Sequence, residues 1–493
     1  MKDGEQRVGR IAIFGKAREL WPVASLLGKT LPSEIELVVV EVPDTGRPVP
    51  LTIRLDDPLF SRLGITAADF QGTDSAIFAL GTELHDWQGE GSRFLQTGSG
   101  PLPDIEQIAI HQIMLRAAQT YDQPDRLAYL YQPFRLPARV AAAGKFAFQS
   151  SDPASPLSML RPTVQIESGQ YAVLLKTRCA SDRIEIVGAR PKAVQLASDR
   201  ERVGGIELDN GRIIEADLFI DSSGVLNDLG GLKEPSDWYA LSDGMPFDRQ
   251  ISAQRSAMPS ASKPPAIAQA VAGGLLMTTA LRKTSMAQLV YASGALSSEA
   301  AQALLETDGE ATVFAPGYVQ QPWVGNLVRL GRASAWFGPF LCADTTMLHR
   351  QAVILEALVP TGLDMTVEAR EFNRRHLIVA EQVRDFILLP LVLNGRTDAP
   401  WRGIGNLPES LAIRLEQFRS RGRLVTFESE LFDEQSWIDL MIGFGIVPDR
   451  CDPMARSLDM GLLARRLKKL TQAFDRALAT IAEQQPEAGA FLA

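Results

Sequence analysis

The stretch Ile11-Ala12-Ile13-Phe14-Gly15-Lys16-Ala17-Arg18-Glu19-Leu20-Trp21-Pro22-Val23-Ala24-Ser25-Leu26-Leu27 decides the fold. An apolar run meets a glycine and opens into a second apolar segment at helical spacing, which predicts strand, tight turn and helix. A dinucleotide-binding chain keeps its G-x-G-x-x-G phosphate turn at this point. Here Gly15 holds the first glycine position, and Ala17 and Leu20 stand at the other two. The second glycine normally lets backbone approach a pyrophosphate, and the third lets helix and strand pack closely. Leu20 is therefore expected to push the helix off the strand or to repack against it. Glu19 brings negative charge to a helix N-terminus, whose field favours anions.

Working outward, Ile35-Glu36-Leu37-Val38-Val39-Val40-Glu41 reads as a buried parallel strand. Glu41 ends it 26 residues after Gly15, where a dinucleotide fold places the acid that bonds a ribose hydroxyl. An ordinary strand-end carboxylate is the competing reading. Short strands are expected at 184–187, 192–196 and 203–208. Asp209-Asn210-Gly211 is a hairpin signal after the last of these. Leu218-Phe219-Ile220-Asp221-Ser222-Ser223-Gly224 follows as a buried strand ending Asp-x-x-Gly, and Leu327 to Gly331 reads as a further strand. Helices are expected at 57–64, 105–121, 170–180, 366–389, 411–419 and 460–481. The Ser-, Pro- and Ala-rich stretch 144–160 is expected as a loop or a mobile lid, and 255–270 as a connector.

The 493 residues carry a net charge of −9 with Lys and Arg scattered, so nucleic-acid binding is not expected. Three cysteines (Cys179, Cys342, Cys451) without a CxxC fit a reducing compartment. His85, His111, His349 and His376 lack metal-ligand spacing, and no metal is expected. No apolar run reaches membrane-spanning length and no signal-like segment opens the chain, so a cytoplasmic protein without membrane contact is expected. Glu83, His85 and Asp86 form the one tight acid/His group. It is read as a solvated strand face before a proton-transfer site.

Taken in order, the segments resemble the flavin-dependent tryptophan halogenases, a branch of the flavoprotein monooxygenases. The resemblance rests on Gly15 with Trp21, Glu41, Leu63-Gly64-Ile65, Phe78-Ala79-Leu80-Gly81 with Trp87, Ala216 to Gly224 and Trp323 to Ala333. It continues through Phe372-Asn373-Arg374, Arg384-Asp385-Phe386-Ile387, Asp398-Ala399-Pro400-Trp401, Trp437, Gly443-Phe444-Gly445 and Pro448. The family implies an α/β fold of the two-dinucleotide-binding, Rossmann-like flavoprotein monooxygenase type, with a mostly helical C-terminal part. The implied organisation is a composite of residues 1–360 followed by a helical region 361–493. Within the composite, 8–46, 184–226 and 325–360 are nucleotide-binding-like, and 47–183 and 227–324 are substrate-type. The family chemistry makes hypohalous acid at reduced FAD. A lysine then directs it to an aromatic ring, with a glutamate stabilising the cationic ring.

Carried over residue by residue, the resemblance places the lysine at Ala79 and the glutamate at Gly338. The Ser-Thr pair bordering the halide falls at Cys342-Ala343, and the flavin strap falls at Val49-Pro50-Leu51-Thr52. If FAD binds, its contacts are expected from Gly15, Ala17, Glu41, Asp221, Gly224, Gly331, Arg332 and Ala333. The altered phosphate turn argues against it. Arg332 is expected to neutralise Glu19 or Glu41, with phosphate binding as the competing role. The leading expectation is a family member without self-sufficient halogenation, acting as partner of an active paralogue or as a homodimer. FAD-dependent oxidation or halogenation of an indole-like ring, and binding of a small aromatic ligand, are the alternatives.

Overall fold

The computed structural model describes residues 7–484 apart from 45, 47, 99, 101, 180–183, 199–201, 228, 230–237, 243, 257–265, 405–406 and 426–429. The chain divides into two compact units. One comprises Met1–Asp74, Ile166–Leu241 and Ala315–Val383, and the other Ser75–Gln165, Ser242–Phe314 and Arg384–Ala493.

The first unit is built on β1 (Arg10–Gly15), which lies parallel between β2 (Glu36–Glu41) and the strand Leu218–Asp221. Ile184–Gly188 extends the sheet beyond β2, and Leu327–Arg329 extends it beyond Leu218–Asp221. Trp323–Val324 closes that edge antiparallel. Ile11 to Phe14, Leu37 to Val40 and Leu218 to Ile220 are all buried. A parallel strand covered on both faces gains from apolar side chains in both directions, which explains the continuous apolar runs. The helix α1 (Ala17–Thr30) leaves β1 directly and buries Leu20, Trp21, Val23, Ala24, Leu26 and Leu27. A meander of Pro191–Leu196, Val203–Leu208 and Ile213–Glu215 turns at Gly211 (φ +82°). It packs Val203, Ile206, Leu208 and Ile214 against Ala12, Phe14, Val38 and Phe219.

In the second unit the strands run Thr312–Val313, Arg249–Arg255, Ser285–Tyr291, Gly274–Ala280, Ala266–Val271, Gly81–His85 and Arg93–Thr97. All pairings are antiparallel except Ala266–Val271 with Gly81–His85. The helix Ser298–Leu305 packs Ala301 and Leu305 on Ile251, Ala287 and Leu289 of this sheet. Helices Ile110–Thr120, Glu409–Arg421, Glu434–Gly443 and Met460–Gln484 are among the helices of this unit. Among the described residues no helix is long and apolar enough to cross a membrane.

The α/β architecture expected from sequence is therefore present. Two details differ. Ala266–Val271 is a strand inside the expected connector, of which 257–265 lie outside the described residues. The helix expected from Ile105 begins at Ile110, because Glu106 (φ +51°) and Gln107 (φ +63°) make a left-handed turn bridged by Ile105 and Ile108.

Loops at the carboxyl edge of the parallel sheet lie in close contact. Gly331 has φ +50°, and a Cβ there would sit 2.6 Å from the Ser222 carbonyl oxygen and 3.2 Å from Leu348 Cδ1. Its N–H donates to Gln351 Oε1 at 2.7 Å. The Gly331→Ala variant is expected to lose about 1–3 kcal/mol in denaturant unfolding. Unchanged stability would mean that the Ser222 loop yields freely.

Candidate functional site at the carboxyl edge of the sheet

Three loops meet where β1, Leu218–Asp221 and Leu327–Arg329 end, which is where open α/β sheets bind ligands. The Lys16 N–H donates to Ser223 Oγ at 2.8 Å, and a side chain at Gly15 would collide with Ser222 Oγ. Gly224 (φ +80°) lies against Ala333, its missing Cβ position 3.7 Å from the Ala333 Cα. The structure thus brings Gly15, Ala17, Gly224, Gly331, Arg332 and Ala333 to one edge. Asp221 lies beneath them, fully buried. Its carboxylate accepts the backbone N–H groups of Ser223 (3.1 Å), Gly224 (2.8 Å), Val225 (3.2 Å) and Leu226 (2.9 Å). Glu41 stands opposite Gly15 in register and pairs with Lys176 Nζ at 3.1 Å. The Lys176 ammonium also lies 4.8 Å above the Trp21 ring.

Leu20 repacks against the strand: it is fully buried, with Cβ 3.5 Å from where a Gly15 Cβ would be. Beside it Glu19 is only 5% exposed and forms an ion pair with Arg18. Burial alone would lower the Arg18 guanidinium. Glu19, helped by Asp344 and Asp44, more than offsets this, so Arg18 ends above its ordinary value. Arg332 was expected to neutralise Glu19 or Glu41, and Glu19 is among the charges that act on it. Glu19 is held by Arg18 and Glu41 by Lys176, while the Arg332 guanidinium stacks 4.1 Å over the Trp336 ring. Lys176 takes Glu41 because its helix, Ser168–Arg178, packs against α1. Burial and the neighbouring Arg18 charge lower Arg332, opposed by Asp344, Glu19 and Asp44.

Asp344 completes the group and was not singled out from sequence. Its Oδ1 accepts the N–H groups of Phe337 (2.8 Å) and Gly338 (3.1 Å). Burial pushes its carboxyl up to about 6, against the pull of those N–H groups, Arg332 and Arg18. An acid one residue after Cys342-Ala343 was a readable signal. Only the backbone of Cys342 is described.

Gly338 adopts φ +86° in the first unit. Ala79 belongs to the second, in the strand Ile77–Ala79, where it is buried and its carbonyl accepts Thr163 Oγ1 at 3.3 Å. Its neighbour Phe78 packs with Phe146 and Phe148 at centroid distances of 5.8 and 5.1 Å. Glu83 and His85 share a face as expected but are a half-buried pair at 2.5 Å, not a solvated one. Among the described residues no three His, Cys, Asp or Glu side chains are grouped to hold a metal.

The backbone of this edge fits a dinucleotide, since α1 begins at an N-cap, Lys16, without a side-chain cap. The side chains there suit an anion less well: Glu19 stands in the first turn of α1, and Asp344 Oδ1 already accepts the Phe337 and Gly338 N–H groups.

The folded state holds the Asp344 proton more tightly than the unfolded chain does. Its stabilising contribution is therefore full below the ordinary carboxylate value of 3.8 and falls as pH rises through about 6. The Asp344→Asn variant, still able to accept both N–H groups, removes this dependence. Its melting temperature relative to wild type is expected to rise from about pH 4 to about pH 7. A constant difference would show a carboxylate solvated in the native state.

The tryptophan halogenase family model matches residues 10–460. The fold is similar to BrvH, a flavin-dependent halogenase from Brevundimonas sp. BAL3, with a TM-score of 0.87, 27% identity and 99% of each chain covered. It is also similar to Xcc4156, a flavin-dependent halogenase from Xanthomonas campestris, with a TM-score of 0.86, 25% identity and 99% and 98% coverage. The tryptophan 7-halogenase RebH of Lentzea aerocolonigenes is 21% identical, with 91% of each chain covered. The chain belongs to the tryptophan halogenase family.

Proposed function

We propose that this family member does not halogenate by itself and acts as the partner of an active paralogue. What carries the reading is that Ala79 and Gly338 stand where the resemblance places the family's lysine and glutamate. A methyl group cannot hydrogen-bond hypohalous acid or carry chlorine on nitrogen as an amine does. A glycine offers no carboxylate to a developing ring cation. Ala79 is, in addition, buried in a strand beside the Phe78–Phe146–Phe148 cluster.

The purified chain, given reduced FAD, oxygen, chloride or bromide, and tryptophan or indole, is expected to yield no halogenated or oxygenated ring above a protein-free control. Either product overturns the reading and supports FAD-dependent chemistry on an indole-like ring. The partner role is tested by mixing the chain with an active tryptophan halogenase of the same organism. The expected result is a shift in that enzyme's elution volume together with a change in its turnover. Absence of both overturns the partner role.

A further inference from the structure

We infer that this chain does not take FAD, because four of its own side chains, Arg18, Glu19, Arg332 and Asp344, occupy the subsite a dinucleotide pyrophosphate would enter.

A pyrophosphate site at the start of a helix needs donors, room and a field that favours anions. The field remains in this chain, but carboxyl groups have taken the anion's place. Glu19 lies in the first turn of α1 and is only 5% exposed. Its Cγ is 3.7 Å from where a Gly331 Cβ would sit, so it fills the gap between the helix start and the Gly331 loop. Asp344 takes the backbone donors of that loop region, the N–H groups of Phe337 and Gly338, at 2.8 and 3.1 Å.

The cations fit the same scheme. Arg18 is bound to Glu19, and Arg332, stacked on Trp336, feels the charges of Arg18, Glu19 and Asp344. Two acids and two guanidinium groups make a set whose formal charges cancel when Asp344 is ionised. A bound pyrophosphate would meet the Glu19 carboxylate, or would have to break the Arg18–Glu19 pair and leave a buried charge unpaired. At β2 a ribose hydroxyl would compete with Lys176 for Glu41.

The inference is independent of the missing lysine and glutamate. Tight FAD binding without a halogenated product would sink this inference and leave the proposed function standing. The test is a titration of the full-length chain with FAD into the hundreds of micromolar, read by flavin fluorescence and by the melting temperature. A single cooperative unfolding transition serves as proof of fold. No saturation and an unmoved melting temperature are expected. Saturable binding in the micromolar range, or a melting temperature that climbs with FAD as mass action requires, overturns the inference. The double variant Glu19→Ala, Asp344→Gly is expected to gain an FAD-dependent rise in melting temperature. A folded double variant that still ignores FAD overturns the assignment to these side chains. If the double variant does not fold, Asp344→Asn together with Glu19→Gln, which keeps both volumes and removes both charges, is read by the same criterion.

Discussion

The carboxylate of Asp221, buried at the end of a central parallel strand, accepts four consecutive backbone N–H groups. This interaction turns the chain sharply at Ser222–Gly224 and holds the turn against β1. Burying a carboxyl group is costly, and the four amide donors offset part of that cost, burial still holding the Asp221 carboxyl above its ordinary value. The other contacts at the edge follow from this turn. Ser223 Oγ can accept the Lys16 N–H, and Ser222 leaves room only for glycines at 15 and 331. Gln351, fully buried, then ties the Gly331 loop to the long helix Thr366–Val392 through His376 Nδ1 at 2.9 Å. Burial pushes His376 down to about 4, so it is neutral near pH 7 and can accept from Gln351 while donating to the Val319 carbonyl.

A fold of this kind creates an anion-attracting edge whether or not an anion is present, because the α1 N-terminus points its free N–H groups there. A bound phosphate answers that field in a nucleotide-binding protein. In this chain Glu19 answers it from within, and Arg18 keeps the carboxylate from standing alone in a dry environment. The same logic applies one loop further on. The Phe337 and Gly338 amides form a small donor pair, and Asp344 occupies it.

The parts of the molecule legible in sequence were those where burial imposes one pattern. β1, α1 and β2 could be placed because doubly covered strands are apolar throughout and a glycine separates them from the helix. Ala266–Val271 was hidden by its composition: its buried positions are alanines, which carry no β signal. The Lys176–Glu41 pair joins residues 135 apart in sequence, and no local pattern announces such a contact. Asp344 was missed for a related reason. Its place directly after Cys342-Ala343 was readable, but its partners, the N–H groups of Phe337 and Gly338 and the charges of Arg18 and Arg332, come from other segments.

The physical coupling among the edge residues bears on how such a site changes. A buried Glu19 without Arg18 leaves an uncompensated charge, and Arg332 without Asp344 loses the largest of the acid charges that offset the neighbouring Arg18. Residues that share partners in this way do not contribute additively, so each is tolerable mainly in the presence of the others. Ala17 and Leu20 belong to the same set in packing terms. A side chain in place of glycine at the turn adds buried apolar surface, and Leu20 is fully buried. On the reading inferred above, the altered glycine fingerprint and the internal ion pairs go together: the edge is filled by its own side chains in place of a phosphate.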